Sequence, residues 1–332
     1  MEKSQIITRA CNDWERDWTL GTLTKKNQTI RLRNEIRYYR SIPWQFEVLF
    51  PRMLDASVWD ESDHWMKLEY YNYLDLGQYL LGRSDWHLDY SDWLSIMQHL
   101  RSILDRWANH DKMPGFSEDA WEVYVAETVI ENNAFREQDI APLLFEGDWI
   151  LINDRPTQTF KAIWPEVEAY LEKEIILTYQ EGMIHGDCNF SNILYGGNVL
   201  RFINPRGSFG TMFGVRGDPR YDVAKLYHSV DVGYEFFTND IFAVTKAENP
   251  SESWKWDYGK QYNPNIWRDK THALSAFIEV FFEGENPVSK KDITLIEGLI
   301  CVSECPHHHE NPDRQIAMYL AGLQLLNKAM QL

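Results

Sequence analysis

The sequence has few of the features that mark secreted, membrane-spanning or disulfide-bonded chains. Only four of its 332 residues are cysteines, and they are too scattered for a disulfide framework. No apolar run approaches the length of about 20 residues that a membrane-spanning helix needs. The N-terminus also lacks the apolar core of a signal peptide. We therefore expect a protein of a reducing compartment, the cytoplasm, without a membrane span.

Positive charge is also scarce. Lys and Arg total 33 against 50 Asp and Glu, which gives a formal net charge of −17. Phosphate backbones repel such a chain, so nucleic acid is not an expected partner. The acidity suits a cationic substrate, although many cytosolic proteins are acidic without binding one. Nothing in the sequence sets an oligomeric state.

Glycine is nearly absent from the first 76 residues, where Gly21 is the only one. The β-prone segments at residues 5–8 and 18–24 predict the small sheet of an N-terminal lobe. A glycine-rich phosphate-binding loop is not visible between them. The sequence therefore does not indicate which backbone groups cover the phosphates of a nucleotide.

Residues 183–206 contain the most specific signal. Two β-prone runs, Ile193–Tyr195 and residues 199–203, flank the turn signal Gly-Gly-Asn at 196–198 and predict a hairpin. Polar side chains lie at both mouths of this hairpin and should converge at one end of it. These side chains are His185, Asp187, Asn192 and Asn204.

The spacing within this stretch is typical of a kinase catalytic loop. His185-Gly186-Asp187 is followed by four residues and then by Asn192. In kinases this Asp takes the proton of the attacking hydroxyl, and the Asn binds Mg²⁺. Gly186 stands where protein kinases have Arg, and no APE-like segment follows. Both departures argue against a protein kinase.

The order of these motifs resembles the order found in the aminoglycoside and choline phosphotransferase family. Along the chain the motifs are HGDxxxxN, the hairpin, the NPRG loop and GDPRYDVAKL (residues 217–226). The resemblance covers most of the chain. It implies an α+β, bilobal protein-kinase-like fold, with a small β-rich N-lobe (residues 1–71) and a large, mainly helical C-lobe (residues 72–332). It also implies an ATP-dependent small-molecule kinase that uses ATP and Mg²⁺ and a small-molecule hydroxyl acceptor.

The acceptor is suggested by a longer run of residues. This run resembles a segment of the family members that are associated with surface or capsular polysaccharide. Its sequence is FINPRGSFG…GDPRYDVAKLYHSV. A saccharide of surface polymer synthesis is therefore our leading expectation. An aminoglycoside or a choline-like amine is the next.

The resemblance assigns roles to the polar residues of the loop. Asp187 is the catalytic base, and Asn192 and residue 204 are the metal ligands. His185 belongs to the same catalytic set, but a lone histidine is more often a satisfied polar group, so we expect it to anchor the loop. Asp222 is expected to tether the backbone of the loop.

A helical pattern precedes this region in the N-lobe. It covers TIRLRNEIRYYRSIP, and Pro43 ends it. Leu32, Ile36 and Tyr39 form its apolar face. Glu35 lies next to that face, where its carboxylate can point inward.

The resemblance gives this helix a partner on the preceding strand. In kinases a strand Lys contacts the phosphates of ATP, and a helix Glu holds that Lys. These cofactor-binding roles fall to Lys25, or Lys26, and to Glu35. The alternative is that these residues are solvated surface charges.

The hinge between the lobes is expected after two further strands, at residues 50–54 and 64–71. The second strand resembles the family's hinge, where backbone groups near Glu69 and Tyr71 would meet the adenine of ATP. The tyrosines here are equally suited to a hydrophobic core.

Position 204 departs from the family pattern, which has Asp in this loop. Asn204 offers a neutral carbonyl oxygen to a hard cation that favours charged oxygen ligands. Three interpretations are open: a slow enzyme with weakened metal binding, a residue introduced to trap a complex, or a non-catalytic relative.

Beyond residue 72 the pattern is helical. Ser91 or Asp92 is the predicted N-cap of a helix, residues 160–177 predict a second, and Asn311-Pro312 begins the last. The first of these helices has an apolar stripe made of Trp93, Ile96, Met97, Leu100, Ile103, Leu104 and Trp107.

Three further features each allow two interpretations. The aromatic stretch at residues 251–267 is either a substrate wall or a plug of the core. Arg206 contacts either a phosphate or acceptor, or a loop carboxylate. Cys301 and Cys305, near three consecutive histidines, form either a zinc site or a helix end followed by a polar loop.

Overall fold

The computed structural model describes residues 13–27, 29–58, 64–258 and 264–332. The described part consists of a small β-rich lobe and a larger, mainly helical lobe, as expected. The strand predicted at residues 5–8 and Cys11 lie outside the described residues. None of the helices in the described part is both long and apolar enough to cross a membrane.

A four-stranded antiparallel sheet forms the small lobe. Its order is β1-β2-β4-β3. The strands are β1 (Asp13–Asp17), β2 (Thr22–Asn27), β3 (Met53–Ala56) and β4 (His64–Glu69).

Three strand predictions in this lobe have wrong boundaries. The strand expected at residues 64–71 ends at Glu69. Residues 18–21 form the turn of the β1-β2 hairpin, because the Asp17 carboxylate accepts the backbone N–H groups of Thr19 and Leu20. The strand expected at residues 50–54 begins only at Met53, because a 3₁₀ helix, Trp44–Leu49, precedes it.

The predicted N-lobe helix is confirmed as α1 (Ile30–Ser41). It ends two residues before Pro43, and its apolar face of Leu32, Ile36 and Tyr39 is buried. Tyr38 on the same helix donates a hydrogen bond of 2.9 Å to the carbonyl of Ile184. The helix is therefore attached to the start of residues 184–192, the predicted catalytic loop.

The larger lobe contains the remaining elements. Its helices are α2 (Leu76–Leu80), α3 (Tyr90–Asn109), α4 (Ser117–Trp121), α5 (Glu127–Glu137), α6 (Phe160–Tyr170), α7 (Pro219–Val230), α8 (Tyr234–Thr238), α9 (Pro264–Phe277), α10 (Lys290–Glu304) and α11 (Pro312–Gln331). Its strands are β5 (Leu74–Asp75), β6 (Met113–Pro114), β7 (Trp149–Ile152), β8 (Arg155–Gln158), β9 (Gln180–Met183), β10 (Ile193–Tyr195), β11 (Leu200–Phe202), β12 (Ser208–Phe209), β13 (Met212–Phe213), β14 (Arg216–Gly217), β15 (Ala243–Thr245) and β16 (Ser253–Asp257).

The three predicted C-lobe helices are present, with one correction. The apolar stripe of α3 is buried, but its N-cap is Asp89 and not Ser91 or Asp92. Asp89 and Asp92 each accept the backbone N–H of the other, and this reciprocal capping box fixes the start of the helix. Helix α6 continues as a π-type segment, Leu171–Ile176, and Asn311 caps α11 as predicted.

The described aromatic side chains of residues 251–258 pack against the core, which favours the interpretation of this stretch as a plug of the core. Trp254 is buried, and the Trp256 indole donates to the side-chain oxygen of Gln324 at 2.9 Å. The Tyr258 hydroxyl donates to the carbonyls of Asp231 and Val232. Tyr262 lies outside the described residues.

The two C-terminal cysteines lie at a helix end, as the second interpretation had it. Cys305 begins a 3₁₀ segment after α10, and its thiol donates to the Val302 carbonyl at 3.2 Å. The Cys301 sulfur lies 3.6 Å from the His228 Nδ1 atom in the core. Among the described residues, no three His, Cys, Asp or Glu side chains are grouped to hold a metal ion.

The predicted hairpin is confirmed and supports the site. Strands β10 and β11 pair from Ile193 with Phe202 to Tyr195 with Leu200, and β5 pairs with the other edge of β10. The loop after β11 then meets α1 at Gly207. Gly207 has a φ of 72°, and a Cβ at this position would lie 2.2 Å from the Asn34 carbonyl oxygen.

Replacing Gly207 with Ala should therefore lower the free energy of unfolding by about 2–5 kcal/mol, because left-handed backbone strain and overpacking add. Gly197→Ala is the matched control, since Gly197 has a φ of 71° and nothing within 4 Å of a built Cβ. It should cost only the backbone strain of about 1–2 kcal/mol. Urea denaturation measures both, and equal losses would contradict the close approach of the loop to α1.

Candidate active site

The backbone of the catalytic loop between β9 and β10 is held by one carboxylate. Asp222, in the first turn of α7, accepts the N–H groups of His185 at 2.6 Å and Gly186 at 2.8 Å. The predicted tether is therefore confirmed. Burial raises the pKa of Asp222 to about 7, although the two backbone hydrogen bonds oppose the shift.

Gly186 is required by its conformation and its neighbour. Its φ is 78°, and a Cβ at this position would lie 2.8 Å from the Cβ of Arg206. An arginine, as in protein kinases, cannot be placed here without moving the loop. The structure thus explains why this chain has Gly186 where protein kinases have Arg.

His185 connects the catalytic loop to the loop after β11. It is fully buried, its Nε2 lies 3.0 Å from the Ile203 carbonyl, and its Nδ1 accepts the backbone N–H of Asp187 at 3.3 Å. Burial lowers the pKa of His185 to about 4, so the ring is neutral at pH 7. This geometry supports an anchoring role for His185 and not the transfer of a proton.

Asp187 is the loop carboxylate that reaches the surface, with 27% of its side chain exposed. Its Oδ2 accepts from the Asn192 amide at 2.9 Å, and its Oδ1 accepts from the Asn189 amide at 3.2 Å. The Lys225 ammonium lies 3.0 Å from Oδ1. The carboxylate is thereby held in one orientation from two sides.

Lys225 and Glu304 are site residues that our sequence interpretation missed. Lys225 is buried on α7 and forms ion pairs with both Asp187 and Glu304. Burial acts to lower the pKa of Lys225, but Glu304 and Asp187 raise it well above its ordinary range. Lys225 follows Asp222 by three residues on one helix, which places both on one face and was a usable signal. Glu304 is on α10, and no local pattern connects it to the loop.

The strand–helix ion pair of the N-lobe is present. The Lys25 ammonium contacts the Glu35 carboxylate, and both residues are buried. Lys26 instead has 57% of its side chain exposed and lies 3.5 Å from Glu15. Burial raises the pKa of Glu35, and Lys25 opposes that shift. Lys25, and not Lys26, therefore forms the predicted ion pair with Glu35.

Two asparagine side chains join this ion pair to the catalytic loop, and we call them the amide relay. Lys25 donates to Asn204 Oδ1 at 3.2 Å, and Asn204 Nδ2 donates to Asn192 Oδ1 at 3.0 Å. Asn192 Nδ2 then donates to Asp187 Oδ2. Because a lysine only donates and a carboxylate only accepts, each amide in the relay has a single possible orientation.

The amide relay does not fit the Mg²⁺ that the resemblance implies. The side-chain oxygen of Asn204 faces an ammonium, and that of Asn192 faces an amide N–H. The carboxylate next to them, Asp187, is paired with Lys225. Magnesium is usually held by one or two carboxylates together with phosphates and waters. As arranged, Asn192 and Asn204 bind each other instead of offering their oxygens to a common cation.

The predicted hinge residues lie apart from this group. Glu69 pairs with Arg52 at 2.9 Å and accepts the Tyr71 hydroxyl at 3.1 Å. Both Glu69 and Tyr71 border a cavity of about 380 Å³, together with the β1-β2 turn and the start of β3. No residue of the catalytic loop lines that cavity. Their contact with adenine stays a prediction.

Arg206 forms the loop salt bridge that was one of its two interpretations. Its guanidinium donates to both carboxylate oxygens of Glu127, at 2.9 and 3.0 Å, and to the Tyr221 hydroxyl at 3.0 Å. These contacts use both terminal nitrogens of the guanidinium.

Comparison with known proteins identifies the fold. No protein-family model and no curated protein matches the chain. A solved structure of a thermostable mutant of aminoglycoside phosphotransferase APH(4)-Ia, in complex with ADP and hygromycin B, superposes with a TM-score of 0.51 at 12% identity, covering 96% of this chain and 94% of that one. The chain has a kinase-like fold.

Glucosamine kinase, in complex with glucosamine, ADP and inorganic phosphate, shares this kinase-like fold. It superposes with a TM-score of 0.52 at 11% identity, covering 97% of this chain and 77% of that one. The α+β fold class predicted from the sequence motifs is therefore confirmed.

A second buried acid supports the catalytic loop from the α8 side. Glu235 accepts the Ser191 N–H at 3.2 Å and the Ser229 hydroxyl at 3.0 Å. Burial raises the pKa of Glu235 to about 7, and the nearby Asp75 adds to the shift. The folded protein therefore binds a proton here that the unfolded chain has already lost near neutral pH.

A raised carboxyl pKa stabilises the fold at low pH, and that stability is lost as the pH rises through about 7. Between pH 4.5 and 8 we expect the wild type to lose roughly 2–3 kcal/mol more unfolding free energy than Glu235→Gln, which cannot titrate. Urea unfolding across this range measures the difference. The exposed Glu137→Gln should parallel the wild type, and parallel curves for all three proteins would refute the assignment.

Proposed function

We propose that this chain is an ATP-dependent phosphotransferase that moves the γ-phosphate to a hydroxyl of a small molecule. One observation carries the proposal. Six residues chosen from sequence motifs lie in one hydrogen-bonded group, although its members are as many as 179 positions apart. The six residues are Lys25, Glu35, His185, Asp187, Asn192 and Asn204.

Phosphoryl transfer requires alignment and charge neutralisation more than covalent help from the protein. Lys25, fixed by Glu35, provides a positive charge for the phosphates of the nucleotide. The partly exposed Asp187 orients the acceptor hydroxyl and takes its proton as the bond to phosphorus forms. Lys225 holds the Asp187 carboxylate and offsets its negative charge beside the phosphates.

We infer that the acceptor is a sugar hydroxyl. Two of the matching structures were solved with hygromycin B and with glucosamine, which supports this class of acceptor. The resemblance of the segment from FINPRG to LYHSV supports a saccharide precursor of a surface polymer, modified in the cytoplasm where ATP is available.

A second candidate function is nucleotide binding without transfer. The amide relay favours it, because Asn192 and Asn204 are hydrogen-bonded to each other. In both functions the nucleotide lies beside Lys25. The two functions differ in whether the γ-phosphate is transferred to an acceptor.

Replacing Asn204 with Asp should raise the rate of ATP-dependent phosphorylation of sugar acceptors at least about tenfold in the presence of Mg²⁺, which is over 1.4 kcal/mol of barrier. A carboxylate cannot donate to Asn192, so the oxygens of both residues become available to a cation. Turnover across a panel of sugars measures the gain.

Two variants control this measurement. Asn198→Asp adds the same charge on the exposed hairpin turn and should leave turnover unchanged. Asp187→Ala should abolish turnover while ATP still binds. If Asn204→Asp gives no transfer although ATP binds, the chain is a nucleotide-binding relative; if Asp187→Ala keeps its turnover, Asp187 is not the base.

A further inference from the structure

The amide relay lies between two buried lysines. Lys25 contacts its Asn204 end, and Lys225 contacts the carboxylate of Asp187 at its other end. The connected path is Lys25, Asn204, Asn192, Asp187 and Lys225. Each step along this path is a hydrogen bond or ion pair between 2.9 and 3.2 Å.

Both ends of this path are fixed by further carboxylates. Glu35 holds Lys25 from α1, and Glu304 holds Lys225 from α10. The relay therefore does not depend on an ion to keep its two asparagines in place. A backbone hydrogen bond also fixes the positions of the two asparagines. The Ile203 N–H donates to the backbone carbonyl of Asn192 at 3.0 Å, which connects the two loops.

The charges of the site also differ from those of a site that requires a divalent cation. Asn at position 204 removes one negative charge from the phosphate side of the group. Lys225 lies next to Asp187, and its positive charge is shared between Asp187 and Glu304. The neutral side chain at position 204 reduces the repulsion that a nucleoside triphosphate meets when no metal is bound.

We propose that this site binds a nucleoside triphosphate without a divalent cation, with the amide relay occupying the position of the metal ligands. The proposal rests on the nucleotide site of the proposed function. Lys25, which can donate three N–H bonds, contacts the phosphates while it keeps Glu35 and Asn204. Lys225 stays buried and acts only by offsetting Asp187.

The residue at position 204 then decides whether the site responds to a metal. An Asp there cannot donate to Asn192, so the hydrogen bond at 3.0 Å is lost and replaced by two oxygens facing each other. A cation between those oxygens relieves their repulsion. The variant Asn204→Asp should therefore acquire the magnesium dependence that the wild type lacks.

The test is ATP binding to the full chain by isothermal titration calorimetry, in EDTA and in MgCl₂ at equal ionic strength. For the wild type we expect dissociation constants that agree within about threefold between the two buffers. For Asn204→Asp we expect binding at least about tenfold tighter with Mg²⁺ than with EDTA, a difference of about 1.4 kcal/mol. Asn198→Asp, with the same charge on an exposed turn, should behave as the wild type does.

Each other outcome overturns a specific statement. Wild-type binding that is tenfold or more tighter with Mg²⁺ overturns the proposal and leaves the phosphotransferase function standing. No binding of ATP in either buffer overturns both. If Asn204→Asp also binds ATP equally well in both buffers, the amide relay does not determine how ATP binding responds to Mg²⁺. The wild-type comparison can overturn the proposal by itself, so the test does not depend on the variant folding.

Discussion

The hydrogen bonds from Lys25 through Asn204 and Asn192 to Asp187 are the interaction on which the rest of the site depends. They connect a strand of the small lobe to a loop of the large lobe, across a separation of 179 residues between Lys25 and Asn204. Each group along the path is satisfied by its neighbour, so none is left as an unpaired polar group.

Local backbone requirements explain why the relay can form at this position. Asn204 has a φ of 57°, a left-handed conformation that Asn tolerates better than most residues. The glycine three residues later allows the loop to approach the carbonyl of Asn34 on α1. Asp222 and His185 fix the other loop. The side chains of the relay are therefore positioned by backbone that has little freedom to move.

Features set by neighbouring residues could be predicted from the sequence. The periodicity of α1, the turn between β10 and β11 and the spacing from His185 to Asn192 are all local patterns, and the structure agrees with each. The start of α3 was misplaced by two or three residues because several adjacent polar residues can cap a helix, and only the reciprocal pair of Asp89 and Asp92 decides between them.

Contacts between distant segments could not be predicted in the same way. Glu304 reaches Lys225 because α10 packs beside α7, and no pattern within either helix encodes that pairing. The hydrogen bond between Asn204 and Asn192 could not be predicted either, because a sequence motif gives residue types and not the orientation of a side-chain amide. That direction follows only once both ends of the path are known.

The most direct measurement of this arrangement is a crystal structure of the chain with a non-hydrolysable ATP analogue, grown in buffer that contains Mg²⁺. Our account predicts Asn204 Nδ2 at about 3 Å from Asn192 Oδ1, with Lys25 between Asn204 and the phosphates. Side-chain oxygens of Asn192 and Asn204 that both point at a bound metal ion would contradict it.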